Sequence, residues 1–452
     1  MDPARWINSS PGNHSIALPE VTAGDPVQAV DRAAAAFDLW KRTSLEERKA
    51  ALTVARDRLR ESAEELSMLI AREVGKPLRE ARLEIAAAIA KFELTFADAD
   101  LHLAERGVTD GPHPGAVRSR PRGVAAVVAP FNFPVHLGHG AAVAYLLAGN
   151  PVVFKPSPLA ANVGAAYGRI MSAALPPGVF DIVQGWTGVS RRLCLDPRVR
   201  SVCFTGSLAA GRKLAVDLAE DISKSLALEL GGRNCLIVCE DADLLAAASA
   251  AADGICLTTG QRCNSTSRIL VAEKVLPVFV AALREALAGR RQGDPCSEET
   301  MLGPLVSSAA LDRYRSLIST PGDWIVPGRA DAGTGHFAAP AVIHVATPDA
   351  LGGQEFFCPV AQVETFADIP SAIALQKADT CGLTASVFTA DEGVFALFAD
   401  ELEVGNLYRN LPTTFSPSTL PFGGILLAGN AKPGGRGFVR FAAHEQAVQW
   451  KS

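Results

Sequence analysis

Cys263 closes the tetrapeptide Gly260-Gln261-Arg262-Cys263, and Glu229 lies 34 positions upstream within Leu228-Glu229-Leu230-Gly231-Gly232. A thiolate can capture a carbonyl carbon, and a carboxylate can later activate the water that releases the product. One cysteine and one carboxylate therefore suffice for a covalent oxidation. A lone cysteine says little, because free cysteines are usually buried and inert. Cys203, Cys235, Cys239 and Cys256 stand in apolar runs and read as core residues of that kind. The two leucines that flank Glu229 predict an apolar setting, which raises a carboxyl pKa towards the range useful to a base.

Other residues fit around this pair. Asn132 stands in Pro-Phe-Asn-Phe-Pro, just past the β-prone run Val124 to Val128. Attack on a carbonyl places negative charge on its oxygen, and a fixed amide donor stabilises that charge. Taken alone, Asn132 reads more plainly as a turn residue near Pro134. Gly206 and Ser207 precede a helix-like stretch from Leu208 to Ala219. Their backbone N–H groups and the Ser207 hydroxyl are expected to meet a pyrophosphate at that helix N-terminus. Gly211 permits close packing there. The segment is not the Gly-x-Gly-x-x-Gly dinucleotide fingerprint.

The elements that must position these residues follow from pattern. Residues 30–105 carry Ala and Leu with charges at helical intervals and predict helices. From Gly123 onward, short β-prone runs alternate with longer helix-like stretches, among them Val124 to Val128, Val152 to Phe154 and Val202 to Phe204. That alternation predicts a parallel sheet with crossover helices. A second alternating region follows Glu229, with runs Cys235 to Val238 and Ile269 to Ala272. Residues 107–123, rich in Gly and Pro, predict a hairpin or excursion.

Bulk properties narrow the function. A chain of 452 residues, 48% of them hydrophobic, can form two or three structural units. The net charge of −5 is small and the charges are interspersed. No basic stripe proposes a nucleic-acid partner. Apolar runs are too short to span a membrane. The nine cysteines show no Cys-x-x-Cys pair and no His cluster at zinc spacing. No metal site is expected, and a reduced cytoplasmic enzyme is the simplest reading.

The motifs, in order, carry a resemblance. They are Glu-Val-Gly-Lys-Pro from Glu73, Pro-Phe-Asn-Phe-Pro from Pro130, Ala-Gly-Asn from Ala148 and Phe-Lys-Pro-Ser from Phe154. Phe-Thr-Gly-Ser-x-x-x-Gly from Phe204, the Glu229 and Cys263 segments, Glu-Phe-Phe-Cys-Pro from Glu355 and Pro-Phe-Gly-Gly from Pro421 complete the series. Over nearly its whole length the chain resembles the aldehyde dehydrogenase superfamily. The resemblance implies an α/β fold: a Rossmann-like cofactor domain from 1–106 and 123–228, an α/β catalytic domain from 229–428, and oligomerisation segments at 107–122 and 429–452. It implies Cys263 as nucleophile, Glu229 as base, and Asn132 with the Cys263 backbone N–H as oxyanion donors. It also implies NAD as cofactor, held by Lys155, Ser157, Gly206, Ser207, Gly211, Leu230, Glu355 and Phe357. Lys155 is expected at the adenosine ribose, and Glu355 and Phe357 at the nicotinamide ribose. A small aldehyde and a second copy of the chain, in a homodimer or homotetramer, are the implied partners.

Departures from the pattern matter too. Relatives commonly carry Glu three positions after the Lys of Phe-Lys-Pro; here Pro158 stands there. A Glu would grip ribose hydroxyls and repel a 2′-phosphate, so NADP use is also expected to be possible. Cys358 replaces a usual Gly and is expected to alter the loop that carries Glu355. Leu426 and Ala428 replace a usual Gly and Ser and are expected to reshape the mouth of the substrate tunnel. Asn132 to Leu137, Ser418 to Gly424 and Gly429 to Pro433 are most similar to the branch that oxidises N-succinylglutamate 5-semialdehyde in arginine catabolism. A dehydrogenase of another aldehyde, a relative that passes the acyl group to coenzyme A, and a non-catalytic binding relative are the alternatives. Glu229 argues against acyl transfer, and the joint presence of Cys263, Glu229 and Asn132 argues against lost turnover.

Overall fold

In the computed structural model, residues 2–109, 112–331, 333–346 and 350–451 are described. The helix-patterned N-terminal region forms Pro26–Trp40, Leu45–Glu61, Ala63–Val74 and Leu78–His102. Ser44 and Glu47 close a capping box at the start of the second, which satisfies amides that the helix itself leaves unpaired. Gly75 ends the third in a left-handed turn at φ +82°, a backbone that favours glycine.

Five parallel strands follow. Their order across the sheet is Ser225–Glu229, Val199–Thr205, Val124–Val128, Val152–Lys155, Phe180–Ile182. Val124–Val128 and Val152–Lys155 are buried at every position, as expected of strands covered on both faces. The chain runs one way from Val124–Val128 to Phe180–Ile182, then returns to the other side with Val199–Thr205. A crevice therefore opens beyond the carboxyl ends of Val124–Val128 and Val199–Thr205, where open α/β sheets bind ligands.

A second sheet has seven strands, ordered Asp323–Val326, Ala341–His344, Val360–Phe366, Thr266–Ala272, Asn234–Val238, Thr384–Phe388, Asn406–Arg409. Only the first pair is antiparallel. Cys235, Cys239 and Cys256 are buried in this half and Cys203 in the other.

The excursion predicted at 107–123 is a hairpin, Arg106–Val108 against Gly115–Pro121, with residues 110 and 111 outside the described residues. Ala443–Gln449 adds a third antiparallel strand to it. The segment 429–452 does not act as one unit. Gly434–Gly435 pairs with Pro421–Phe422, and Phe438, Val439 and Ala442 are buried in the core beneath the N-terminal helices. Only the strand after Ala442 joins the hairpin, because the preceding apolar residues gain more by burial in the body.

Candidate active site

A cleft of about 350 Å³ occupies the predicted crevice. Asn132, Lys155, Ser157, Gly206, Ser207, Glu229, Leu230, Cys263, Glu355 and Phe357 all line it. Gly211 is the exception. It lies beneath the wall, where a Cβ would stand 2.5 Å from Leu230 Cδ2, so its role is close packing. Strand ends explain the convergence. Lys155 and Glu229 are the last residues of their strands, and Asn132 follows four residues after Val128.

Cys263 comes from the second half of the chain on a strained loop. Thr258 and Thr259 hold φ of 52° and 57°, unusual for β-branched residues and costly by about 1 kcal/mol or more each. Glu80 pins the loop. Its carboxylate accepts from the Thr258 N–H and hydroxyl, both at 2.9 Å, and from the Arg262 guanidinium at 2.7 Å. Arg262 also donates to Thr258 Oγ1 at 2.9 Å, and Thr259 Oγ1 to the Gly303 carbonyl at 3.0 Å. Gly260 packs so closely that a Cβ would meet the Cys358 oxygen at 2.3 Å. Glu80→Gln weakens three charge-assisted contacts to the loop. It is expected to lower kcat by roughly ten- to a hundredfold and to lower Tm, while the cofactor Kd stays within about twofold. Unchanged kcat would remove Glu80 from the positioning of Cys263.

One turn further along the same helix, Glu84 holds the opposite wall. Its Oε1 accepts from the N–H groups of Val135 and His136 at 3.0 and 3.1 Å. Its Oε2 pairs with the fully buried Lys76 at 2.6 Å. Asn132, only 3% exposed, donates through Nδ2 to the Gln261 carbonyl at 2.8 Å. That bond fixes the amide two residues from Cys263, and the second N–H of the amide group remains as a donor.

Electrostatics favour neutral acids here. Burial pushes the Glu229 carboxyl up to about 8, opposed by its neighbour Cys263. Apart from the Cys263 thiol, the Glu229 oxygens have no hydrogen-bond partner among the described residues. The Cys263 thiol is raised well above its usual value by burial and then by the charges of Glu229 and Glu355. Burial also lifts Glu355 to about 8, despite the Gly232 N–H at 3.3 Å. A half-buried thiol thus sits beside a carboxyl poised to exchange protons near neutral pH.

The cofactor-like end is more polar. Lys155 is 2% exposed, and burial pulls its pKa down to about 8. One expectation changes: the Gly206 N–H is taken by the Glu229 carbonyl at 3.1 Å, and the Ser207 hydroxyl caps its own helix by accepting from the Ala210 N–H at 3.3 Å. Gly206 therefore contributes space instead of a donor, because its amide extends the ladder between two adjacent parallel strands. Phe131 and Arg313 are among the lining residues that the sequence does not single out. Phe131 meets Phe357 edge-on at 5.9 Å, and Arg313 donates to the Glu355 carbonyl. Arg313 lies in an ordinary amphipathic helix, Ser308–Ile318, so no local signal marks it.

Cys263 and Leu137 also line a second, narrow cleft of about 50 Å³. Its walls carry Arg262, Asn264, Ser416 and Ser418 beside Phe133 and Phe422. His136 is there too, held neutral because burial pushes its pKa down to about 4. Neither Leu426 nor Ala428 lines this cleft, contrary to expectation. Leu426 is 52% exposed in a left-handed backbone at φ 55°. Ala428 is buried, and its carbonyl accepts from the Leu230 N–H at 2.8 Å. Side chains were added at positions that face solvent or core, not the mouth. Cys358 keeps an ordinary φ, and the left-handed residue of that loop is Phe357 at 53°.

The chain is similar to known proteins along nearly its whole length. The sequence model of the aldehyde dehydrogenase family matches residues 3–448. N-succinylglutamate 5-semialdehyde dehydrogenase 1 of Caulobacter vibrioides is 35% identical over 415 residues, 90% of this chain and 87% of that protein. The N-succinylglutamate 5-semialdehyde dehydrogenase of Chromobacterium violaceum is 35% identical over 416 residues, 90% of this chain and 85% of that one. Among solved structures, the NAD-dependent aldehyde dehydrogenase of Sinorhizobium meliloti superposes with a TM-score of 0.95 at 29% identity, covering 99% of this chain and 91% of that one. An indole-3-acetaldehyde dehydrogenase complexed with NAD+ gives 0.95 at 28%, covering 99% and 93%. Matched by that family model along residues 3–448, this chain belongs to the aldehyde dehydrogenase family.

Proposed function

We propose that the chain oxidises N-succinylglutamate 5-semialdehyde to N-succinylglutamate, with NAD as electron acceptor, through a thioester on Cys263. The observation that carries the chemistry is the position of Cys263 at the junction of two clefts, with Glu229 beside it. The larger cleft suits a dinucleotide. The buried Lys155 and Ser157 line it together with Glu355 and Phe357, and the charge of Glu355 reaches Cys263. When bound there, NAD supplies the hydride acceptor.

The chain's own residues do the rest. The Cys263 thiol loses its proton to solvent, and the thiolate adds to the aldehyde carbon, leaving negative charge on the former carbonyl oxygen. Asn132 Nδ2 and the Cys263 N–H stabilise that oxygen. Loss of hydride from the same carbon leaves the thioester. Glu229 then removes a proton from water as the water adds to the thioester carbon; the C–S bond breaks, and the carboxylate and the thiol are restored.

The substrate assignment is supported by the named relatives and by the narrow cleft. Arg262, Asn264 and the hydroxyls of Ser416 and Ser418 offer donors to a carboxylate- and amide-bearing tail. The sheet formed by Arg106–Val108, Gly115–Pro121 and Ala443–Gln449 is assigned to contact with a second copy of the chain. No helix among the described residues is long and apolar enough to cross a membrane.

The test is nicotinamide absorbance with a panel of aldehydes. N-succinylglutamate 5-semialdehyde is expected to give kcat/KM at least about tenfold above succinate semialdehyde and simple alkyl aldehydes, since unpaired donors penalise a substrate lacking the matching groups. A higher kcat/KM for an alkyl aldehyde would overturn the substrate while leaving the chemistry intact.

A further inference from the structure

One part of the large cleft is lined by Lys155, Ser157, Pro158, Thr187 and Ser190. Two features there attract an anion. The Lys155 ammonium is buried and has no hydrogen-bond or ion-pair partner among the described residues. The helix Thr187–Leu195 also begins there, and a helix N-terminus presents unpaired N–H groups with partial positive charge.

A carboxylate from far away in sequence already occupies that helix end. Asp2 Oδ2 accepts from the Gly188 N–H at 2.6 Å. The approach requires glycine, because a Cβ at position 188 would stand 2.7 Å from the same oxygen. The negative charge of Asp2 reaches Lys155 and raises its pKa against the effect of burial. The segment after Asp2 is tethered to the same wall. Trp6 Nε1 and Asn8 Nδ2 donate to the Pro158 carbonyl at 3.2 and 2.9 Å. The Trp6 ring meets Trp186 edge-on at 5.9 Å, immediately before the helix.

We propose that Asp2 is a specificity-determining residue whose carboxylate, seated on the Gly188 N–H, repels a 2′-phosphate on the adenosine ribose and so selects NAD over NADP. Position 158 offers no carboxylate for that task, and the fold brings one in from the N-terminal segment. The proposal rests on the reading of this cleft as the dinucleotide site.

The experiment compares wild type with Asp2→Asn and Asp2→Ala in the full chain. Two quantities are read: the ratio of kcat/KM for NADP to that for NAD, and the calorimetric Kd of adenosine 2′,5′-bisphosphate relative to AMP. Removal of a like charge facing a phosphate is expected to raise the NADP/NAD ratio at least about tenfold in both variants. The bisphosphate is expected to tighten by a similar factor while AMP changes little. A helix cap alone would lower Tm and leave both ratios where they were. Ratios within twofold of wild type, with NAD turnover preserved, overturn the role of Asp2 but not the reading of the cleft. Failure of both nucleotides to support aldehyde oxidation by the wild type overturns both.

Discussion

Replacement of Cys263 by serine is expected to abolish aldehyde oxidation while NAD still binds. A hydroxyl at this position is a far weaker nucleophile than a thiolate near neutral pH. The fall in kcat is expected to be at least about 10⁴-fold, as for removal of a nucleophile from other covalent enzymes. Cofactor affinity, measured by fluorescence titration, is expected to stay within about twofold, because the substitution leaves Lys155, Ser157 and Glu355 in the cleft lining unchanged. The serine variant should also trap no acyl group when mixed with substrate and examined by mass spectrometry. Turnover near that of wild type would remove Cys263 from the mechanism.

Glu229→Gln separates the two halves of the reaction. Glutamine keeps the shape but cannot accept a proton from water, so the thioester should form and persist. Rapid mixing is expected to show about one nicotinamide reduced per active site, followed by a steady rate slower by roughly 10²–10⁴-fold. The pH profile adds a second signature. Burial raises Glu229 to about 8, so its base form grows with pH below that value and levels above it. Where deacylation limits the wild type, kcat should rise about tenfold per pH unit below 8; in the variant this rise should vanish. A variant without a burst, and with no acyl-enzyme by mass, would show that Glu229 acts before hydride transfer instead.

The residues proposed to carry covalent chemistry are legible in the sequence because each sits in a short local motif. Alternating β-prone and helix-like runs likewise announced both parallel sheets, since the periodicities 2 and 3.6 are local properties. What stayed hidden depends on contacts between distant segments. Glu80 and Glu84 read as carboxylates on a solvated helix face, yet they are 4% and 3% exposed and hold loops far along the chain. Thr258 and Thr259 carry no local mark of a left-handed backbone, which Glu80 and Gly303 impose from outside. The Gly206 amide was misjudged because strand pairing, not helix capping, claims it. Asp2 offers nothing readable until the fold sets it on Gly188.

Glu80 and Glu84, four residues apart on one helix, set limits on how this protein can evolve. An α-helix rises about 6 Å over four residues, so these two carboxylates act as a rigid gauge between the loop of Cys263 and the loop of Asn132. A change in that helix moves both loops together and cannot retune one without the other. The opposite wall is differently built, with Ser416 to Ser418 and Gly434–Gly435 lying in turns and a two-residue bridge. Adaptation to a new aldehyde therefore has a cheap route and a costly one. Substitutions in the turns can alter which tail is accepted while the gauge keeps nucleophile and oxyanion donor in register, and a lineage diverging in substrate should accumulate changes there first.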